Sequence, residues 1–316
     1  MPFWRRSWRT PPRCIGASVG RMARATNTLL EVTDLRYDTI SFLTDYGLDD
    51  EFVGVVKSVI RSISPGVHVV DISHNVRRHD IRAGGLTLAR AAQYLVPGVV
   101  LAVVDPGVGT GRRAVAVEVG DGQSVLIGPD NGLLASAVAM VGGATRAVEL
   151  DNAAYHVPAP GPTFDGRDVF GPCAAHLCAG VALTELGTEI KTTSLRPGVL
   201  PVGGREGDMV IGEVLWVDHF GNLQLNLDPD DLDGIEGALM MRSGDETRRL
   251  ERVSTYDEIP PGTIGMLTDS YGLLSLAVAR GSAAEELRMG ETDVVQLSAT
   301  GEPAGVTTPV ELGRRE

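Results

Sequence analysis

The chain has 316 residues, 43% hydrophobic and 22% charged, so it can bury a substantial core as one large or two medium domains. Its net charge is −13, but residues 1–30 contain six arginines and no acid, which leaves −19 on the remainder. A folded part this acidic is a poor nucleic-acid binder. No stretch approaches the roughly 18 apolar residues of a membrane span, so the sequence predicts a soluble protein without membrane contact.

Residues 1–36 are basic and mix Arg, Pro, Ser and Trp without periodicity, and we expect this extension to be disordered. It lacks the apolar run of a signal peptide, and Met22 is an alternative start of the chain. Cys14, Cys173 and Cys178 have no zinc-ligand partner pair. The sequence therefore predicts that these cysteines are reduced, structural thiols and that the protein is cytoplasmic.

Strands and helices alternate through residues 37–195, which predicts an α/β domain with a mostly parallel, Rossmann-like sheet. Apolar residues recur at helical spacing over residues 52–63, and a second helix is expected over residues 80–95. Residues 113–119 alternate in polarity and turn back at Asp121-Gly122, which indicates a hairpin-like insertion.

Four apolar runs of this domain end on aspartates: Asp45, Asp71, Asp105 and Asp130. The carboxyl ends of parallel strands share the edge at which such sheets bind ligands. Any one of these residues is explained equally well as a helix cap. Together they predict an acidic rim, which favours a cationic or hydroxyl-rich ligand over a bare phosphate.

Residues 196–207 are rich in Pro and Gly and predict a linker. Residues 208–300 contain short apolar runs between turns, which predicts a smaller, antiparallel β-barrel-like domain, followed by a flexible tail over residues 301–316. The predicted strands of this domain are 209–217, 222–227, 238–241, 263–267 and 293–297.

Three loops carry side chains suited to chemistry. Asp105-Pro-Gly-Val-Gly-Thr precedes Arg112, and a neighbouring arginine would keep the aspartate ionised. Residues 164–172 alternate charged and aromatic side chains, which indicates either a site or a salt bridge between Arg167 and Asp168. Residues 218–222 place an aromatic ring beside an amide, a combination that suits a purine, although a β-bulge is the alternative.

Six motifs in this order closely resemble the S-adenosylmethionine (SAM) hydroxide adenosyltransferases, relatives of the fluorinating and chlorinating enzymes. The resemblance covers roughly residues 38–300, and it implies attack of water or hydroxide on C5′ of the ribose, with release of adenosine and L-methionine. The motifs are Thr44-Asp45-Tyr46-Gly47, Asp71-Ile72-Ser73-His74, Asp105-Pro106-Gly107-Val108-Gly109-Thr110, Pro129-Asp130-Asn131-Gly132, Gly166-Arg167-Asp168-Val169-Phe170 and Asp218-His219-Phe220-Gly221-Asn222.

The resemblance assigns catalysis to Asp105 and Arg112. Halide-using relatives have a tyrosine where Asp105 stands, which favours water as the nucleophile. The family's histidine before Gly-Arg-Asp is replaced here by Asp165. We expect Asp105 and Asp165 to hold the attacking water, with Arg112 balancing their charge.

The resemblance also implies the substrate contacts. Asp45 would bind the ribose hydroxyls, and Asp218 and Asn222 would contact the methionine part. His79 stands where halogenating relatives have a tryptophan. The remaining expected substrate-binding residues are Asp50, Phe164, Phe220, Ser270 and Tyr271.

Two other functions fit parts of the sequence. Asp45, Asp49, Asp50 and Asp130 would suit Mg²⁺ or Mn²⁺ in a nucleotide phosphatase. A non-catalytic SAM or adenosine sensor would explain the change to Asp165. For the hydrolase no cofactor or metal is expected, SAM being the substrate. The resemblance further implies a homotrimer with sites between the first domain of one subunit and the second domain of its neighbour.

Overall fold

The computed structural model describes residues 35–198, 201–235 and 237–299. The chain divides into two compact units, Met1–Leu200 and Pro201–Glu316, each with its own hydrophobic core. Most of the predicted N-terminal extension lies outside the described residues, as do Cys14, Met22 and the predicted tail.

The first domain contains a seven-stranded sheet in the order β2-β1-β3-β5-β4-β6-β7. Its strands are β1 Thr39–Thr44, β2 His68–Ser73, β3 Val99–Val103, β4 Ala114–Val119, β5 Ser124–Pro129, β6 Ala144–Glu149 and β7 Thr188–Ile190. Its helices are α1 Phe52–Ile63, α2 Ile81–Ala92, α3 Ala135–Met140 and α4 Gly171–Cys178.

This sheet is mixed, so the prediction of a mostly parallel sheet is wrong. Strands β2, β1, β3 and β5 are parallel, whereas β4 pairs antiparallel with both β5 and β6, and β7 pairs antiparallel with β6. The cause is the short connection Gly120–Gly122, in which Asp121 has a φ of 53°. A turn this tight returns the chain beside the strand it has just left, so β4 and β5 form a hairpin.

The apolar residues predicted to form a helical stripe do so in α1, which buries Val53, Val56 and Ile60. Helix α2 begins after Asp80, whose side chain accepts a hydrogen bond from the Ala83 amide at 2.8 Å. Strands β1 and β3 are buried along their whole length. The loops that follow these two strands therefore start from a rigid support.

The second domain closes into a barrel of seven strands, because β10 pairs with both β14 and β9, and β8 adds to β9 outside the ring. The barrel is antiparallel except for the pair β12 and β13. Its elements are β8 Gly204–Glu206, β9 Met209–Val217, β10 Leu223–Leu225, β11 Leu239–Ser243, β12 Glu246–Arg252, β13 Ile264–Thr268, β14 Leu274–Val278, α5 Ala283–Leu287 and β15 Val294–Ala299.

Strand β8 lies within the segment predicted as a linker. Across the residues that the structure describes, no helix has both the length and the apolarity to cross a membrane.

Candidate active site

Asp105, Arg112 and Asp165 form one ion-pair cluster in the first domain. The Arg112 guanidinium donates from Nε to both carboxylate oxygens of Asp105, at 3.1 and 2.9 Å, and from Nη2 to Asp105 and to Asp165. The side chains of Asp105, Arg112 and Asp165 are 5, 10 and 18% exposed. Two acidic side chains thus share one guanidinium in a largely enclosed place.

The loop after β3 positions Asp105 and Arg112. Asp105 Oδ1 accepts a hydrogen bond from the Gly107 amide at 3.2 Å, which fixes the carboxylate within its own turn. Gly109 has a φ of 74°, and a side chain there would lie 2.8 Å from the Pro162 carbonyl oxygen. Glycine therefore allows this loop to pack directly against the segment that leads to Asp165.

Asp165 immediately precedes a single π-helical turn, Gly166–Phe170, which continues into α4. Such π turns are rare and occur frequently at functional sites. Phe170, at the end of the turn, is fully buried, and the Arg112 guanidinium lies over its ring at 5.0 Å from the centroid. The turn therefore supports both the acid and the arginine.

Burial and neighbouring charge shift the pKa of Arg112 in opposite directions. Burial disfavours its charged form, but hydrogen bonds and charge from Asp105, followed by Asp165, outweigh burial and raise the pKa of the guanidinium. Arg112 is therefore a fixed positive charge next to two acids.

Asp45 directly follows β1, and its Oδ2 accepts a hydrogen bond from the His79 amide at 2.8 Å. His79 holds a left-handed backbone, with φ 66°, and its side chain is exposed. Asp50 is exposed just before α1. The buried His74 fixes the loop after β1, since its Nδ1 lies 2.9 Å from Thr44 Oγ1 and its carbonyl accepts from the Gly47 amide.

Sequence reasoning overlooked Tyr46 as a separate site residue, although it lies inside the Thr-Asp-Tyr-Gly motif. Its ring makes edge-to-face contacts with Phe52 and Phe164, at centroid distances of 5.9 and 5.7 Å. Its hydroxyl lies so close to Gly166 that a Cβ atom there would collide with it. The phenol thus reaches the residue that follows Asp165.

His156 also lies near Asp165, and sequence reasoning gave no sign of it because no motif contains it. Burial lowers the pKa of its imidazole, while the charge of Asp165 and a hydrogen bond to the backbone of Leu150 oppose that shift. Its Nε2 is buried without a hydrogen-bond partner among the described residues. The lowered pKa of His156 favours the neutral imidazole.

In the second domain, Asp218 holds the turn between β9 and β10. Its Oδ1 accepts from the backbone amides of Phe220 and Asn222, at 2.8 and 2.9 Å, and its Oδ2 accepts from the Asn222 side chain at 2.8 Å. Gly221, with φ 81°, completes the turn. Asn222 is buried, whereas Phe220 is 73% exposed.

A second turn of the same form joins β13 to β14 and carries Ser270 and Tyr271. Asp269 Oδ1 accepts from the amides of Tyr271 and Leu273, at 2.8 and 3.1 Å, and Gly272 has a φ of 80°. Ser270 and Tyr271 are exposed. Sequence reasoning missed Asp269, although the shared spacing of acid, aromatic residue and glycine in the two loops could have revealed it.

The other strand-associated acids serve the fold. Asp71 lies inside β2 rather than at its end and contacts Lys57 and His74. Asp130 is buried. Its Oδ2 accepts a hydrogen bond from the Arg113 guanidinium, and its Oδ1 accepts one from the Arg196 backbone amide.

The remaining chemistry-bearing side chains are also accounted for by local contacts. Arg167 and Asp168 form a bidentate pair, at 2.6 and 2.9 Å. Cys173 and Cys178 are buried free thiols, and burial raises the pKa of each to about 12. The described part of the chain contains no group of three or more His, Cys, Asp or Glu side chains arranged to hold a metal ion.

Comparison with known families assigns both domains. The family model for the SAM hydroxide adenosyltransferase N-terminal domain matches residues 40–187, and the model for the C-terminal domain matches residues 212–296. The chain therefore combines, in order, the two domains that define this class of protein.

Named relatives agree. A Salinispora tropica protein named (R)-S-adenosyl-L-methionine hydrolase is 41% identical over 82% of this chain and 97% of its own length. A Thermus thermophilus protein of the same name is 42% identical over 82% and 98%. A fluorinase of Actinoplanes sp. is 29% identical over 75% and 90%.

A solved structure shares the fold. It is an uncharacterized conserved protein from Thermotoga maritima, with a TM-score of 0.76 and 33% identity, over 82% of this chain and 99% of that chain. The chain belongs to the SAM hydroxide adenosyltransferase family.

Proposed function

We propose that this protein hydrolyses S-adenosyl-L-methionine to adenosine and L-methionine by attack of water on C5′ of the ribose. Membership of the family and relatives named as SAM hydrolases support the reaction. The observation that carries the proposal is the enclosed cluster of Asp105, Arg112 and Asp165 beyond the end of β3.

The bond changes set what the site must do. The water oxygen bonds to C5′ while the C5′–S bond breaks, and the electron pair of that bond stays on sulfur as the thioether of methionine. The water loses one proton, so the positive charge of the sulfonium leaves as H⁺. A site that excludes other water and aligns the nucleophile with the C5′–S bond accelerates this step.

Asp105 and Asp165 are suited to hold that water. Each carboxylate accepts one of its hydrogens, and Asp105 takes the proton as the new C–O bond forms. Arg112 balances the charge of the two acids, and its raised pKa keeps it protonated. A carboxylate at position 105, where halide-using relatives have tyrosine, favours water over a halide ion.

Asp45 is the proposed ribose holder. Its Oδ2 accepts a hydrogen bond from the His79 amide, and its Oδ1 can accept hydrogen bonds from the vicinal ribose hydroxyls. Asp50, His79 and Phe164 are proposed to complete the substrate contacts of the first domain. In the second domain the proposed contacts are Asp218, Phe220, Asn222, Ser270 and Tyr271.

We further propose that the enzyme works without metal or other cofactor, is cytoplasmic, and assembles as a homotrimer with sites between the first domain of one subunit and the second domain of its neighbour. Light scattering on the purified protein tests the assembly. A trimer has three times the chain mass of 33.4 kDa, and the mass of a monomer or dimer would contradict this proposal.

The activity is tested by incubating the full-length protein with SAM and EDTA and separating the products by chromatography. We expect adenosine and methionine in equal amounts. Tight binding of SAM with no methionine released over hours would instead indicate a non-catalytic sensor. Activity that EDTA abolishes would indicate a metal-dependent enzyme.

A further inference from the structure

The hydroxyl of Tyr46 is a polar group in the site that the ion-pair cluster does not use. It lies against Gly166, next to Asp165, and the charges of Asp45, Asp105 and Asp165 all act on it. Among the described residues, the Tyr46 backbone amide donates to Thr44 Oγ1, but no protein group shares a hydrogen bond with the Tyr46 hydroxyl.

Packing explains the ring of Tyr46 but not its hydroxyl. The contacts with Phe52 and Phe164 use ring edges and faces, which a phenylalanine would supply equally well. Tyr46 is half-buried, and its hydroxyl keeps access to solvent. The hydroxyl, on which the charges of three carboxylates act, is therefore available to a partner that enters the site from solution.

The hydrogen-bond inventory of the attacking water identifies that partner. A water molecule has two hydrogens and two lone pairs. In the proposed reaction the hydrogens go to Asp105 and Asp165 and one lone pair goes to C5′, which leaves the second lone pair open. We infer that the Tyr46 hydroxyl donates a hydrogen bond to this lone pair and is a further catalytic residue of the hydrolysis, a role that rests on the proposed function.

The phenol is suited to donate because it stays protonated. Burial raises the pKa of Tyr46 well above its ordinary value of 10.0, and the neighbouring charges of Asp45, Asp105 and Asp165 raise it further. With four groups around it, the water has one orientation, with a lone pair aligned on C5′.

Tyr46→Phe tests the inference, because it removes the hydroxyl and keeps the ring contacts. We expect kcat for adenosine release to fall about tenfold to hundredfold. We expect KM for SAM and the Kd for adenosine to stay within twofold, and the thermal midpoint not to fall. A kcat within twofold of the unmodified enzyme would overturn the inference, as would a loss confined to KM.

Tyr37→Phe is the matched control. Tyr37 lies just before the start of β1, at the opposite end of that strand from Asp45, and its hydroxyl donates to the Gly122 carbonyl at 2.8 Å. Tyr37→Phe therefore makes the same chemical deletion away from the site. We expect it to leave kcat unchanged. Absence of adenosine from the unmodified enzyme would refute the proposed function itself, whereas equal activity of the enzyme and Tyr46→Phe would refute only the role of Tyr46.

Discussion

Asp105 in the first domain and Asp218 in the second each follow a strand and each begin a glycine-containing loop, but their carboxylates have different partners. Asp105 contacts the Arg112 guanidinium, which also contacts Asp165. Asp218 accepts from the amides of its own turn. The first arrangement depends on negative charge, whereas the second uses the two carboxylate oxygens as acceptors, and an asparagine keeps one of them.

The largest effect is expected from Asp105→Asn. The change keeps the shape of the side chain but removes the proton acceptor and the charge paired with Arg112, so kcat should fall about 10³-fold with KM little changed. Steady-state kinetics of adenosine release would measure this. Asp121→Asn, at an exposed acid of the turn between β4 and β5, is the control and should stay within about threefold. Full activity of Asp105→Asn would refute the assigned role.

A smaller loss is expected from Asp165→Asn, about tenfold to hundredfold in kcat, because Asp105 and Arg112 remain. Asp165→His restores the residue that the family resemblance implies at this position, and its kcat should exceed that of Asp165→Asn. Equal kcat in both variants and the unmodified enzyme would show that Asp165 does not contact the water.

For the second domain we expect a loss of stability rather than of chemistry. Asp218→Ala removes the acceptor of two backbone amides and should lower the free energy of unfolding by about 1–3 kcal/mol, with a raised KM and little change in kcat. Asp218→Asn keeps the acceptor of the two backbone amides but loses the acceptor of the Asn222 side chain, so it should retain part of that stability. Urea denaturation with both variants measures the difference. Equal destabilisation by Asn and Ala would contradict a purely acceptor role.

The smallest effect concerns pH. Burial lowers the pKa of His156 and His176 below the ordinary 6.5, so the folded chain takes up these protons less readily than the unfolded chain. Their contribution to stability is complete above pH 6.5 and is lost as pH falls through the folded pKa values. Thermal midpoints between pH 8 and 5 should decline on the acid side. His156→Gln with His176→Gln should flatten that decline, and an unchanged profile would contradict it.

Much of the fold could be predicted from local sequence. Apolar spacing predicted the helical stripe of α1 and a strand in each of the five runs of the second domain. Turn residues predicted the hairpin of β4 and β5. Beyond that hairpin the antiparallel pairs of the first sheet were not predicted, because an apolar run reads the same in a parallel and an antiparallel pair. Strand β12 was missed because it is largely polar, with Leu250 as its buried residue.

The candidate site shows the same division. Asp45, Asp105 and Arg112 lie in motifs that sequence alone singles out. The contact between Tyr46 and Gly166 joins residues far apart in the chain, and His156 lies near Asp165 only after the loops have packed. Motifs can name the acids, whereas the groups around them depend on tertiary packing.

Hydrolysis in ¹⁸O-labelled water tests attack at C5′ most directly. The full-length protein is incubated with SAM in labelled water, and the adenosine formed is analysed by mass spectrometry. We expect one ¹⁸O atom per adenosine, located in the 5′-hydroxyl, and unlabelled methionine. Adenosine without label at the 5′ position, or no adenosine at all, would contradict attack of water on C5′.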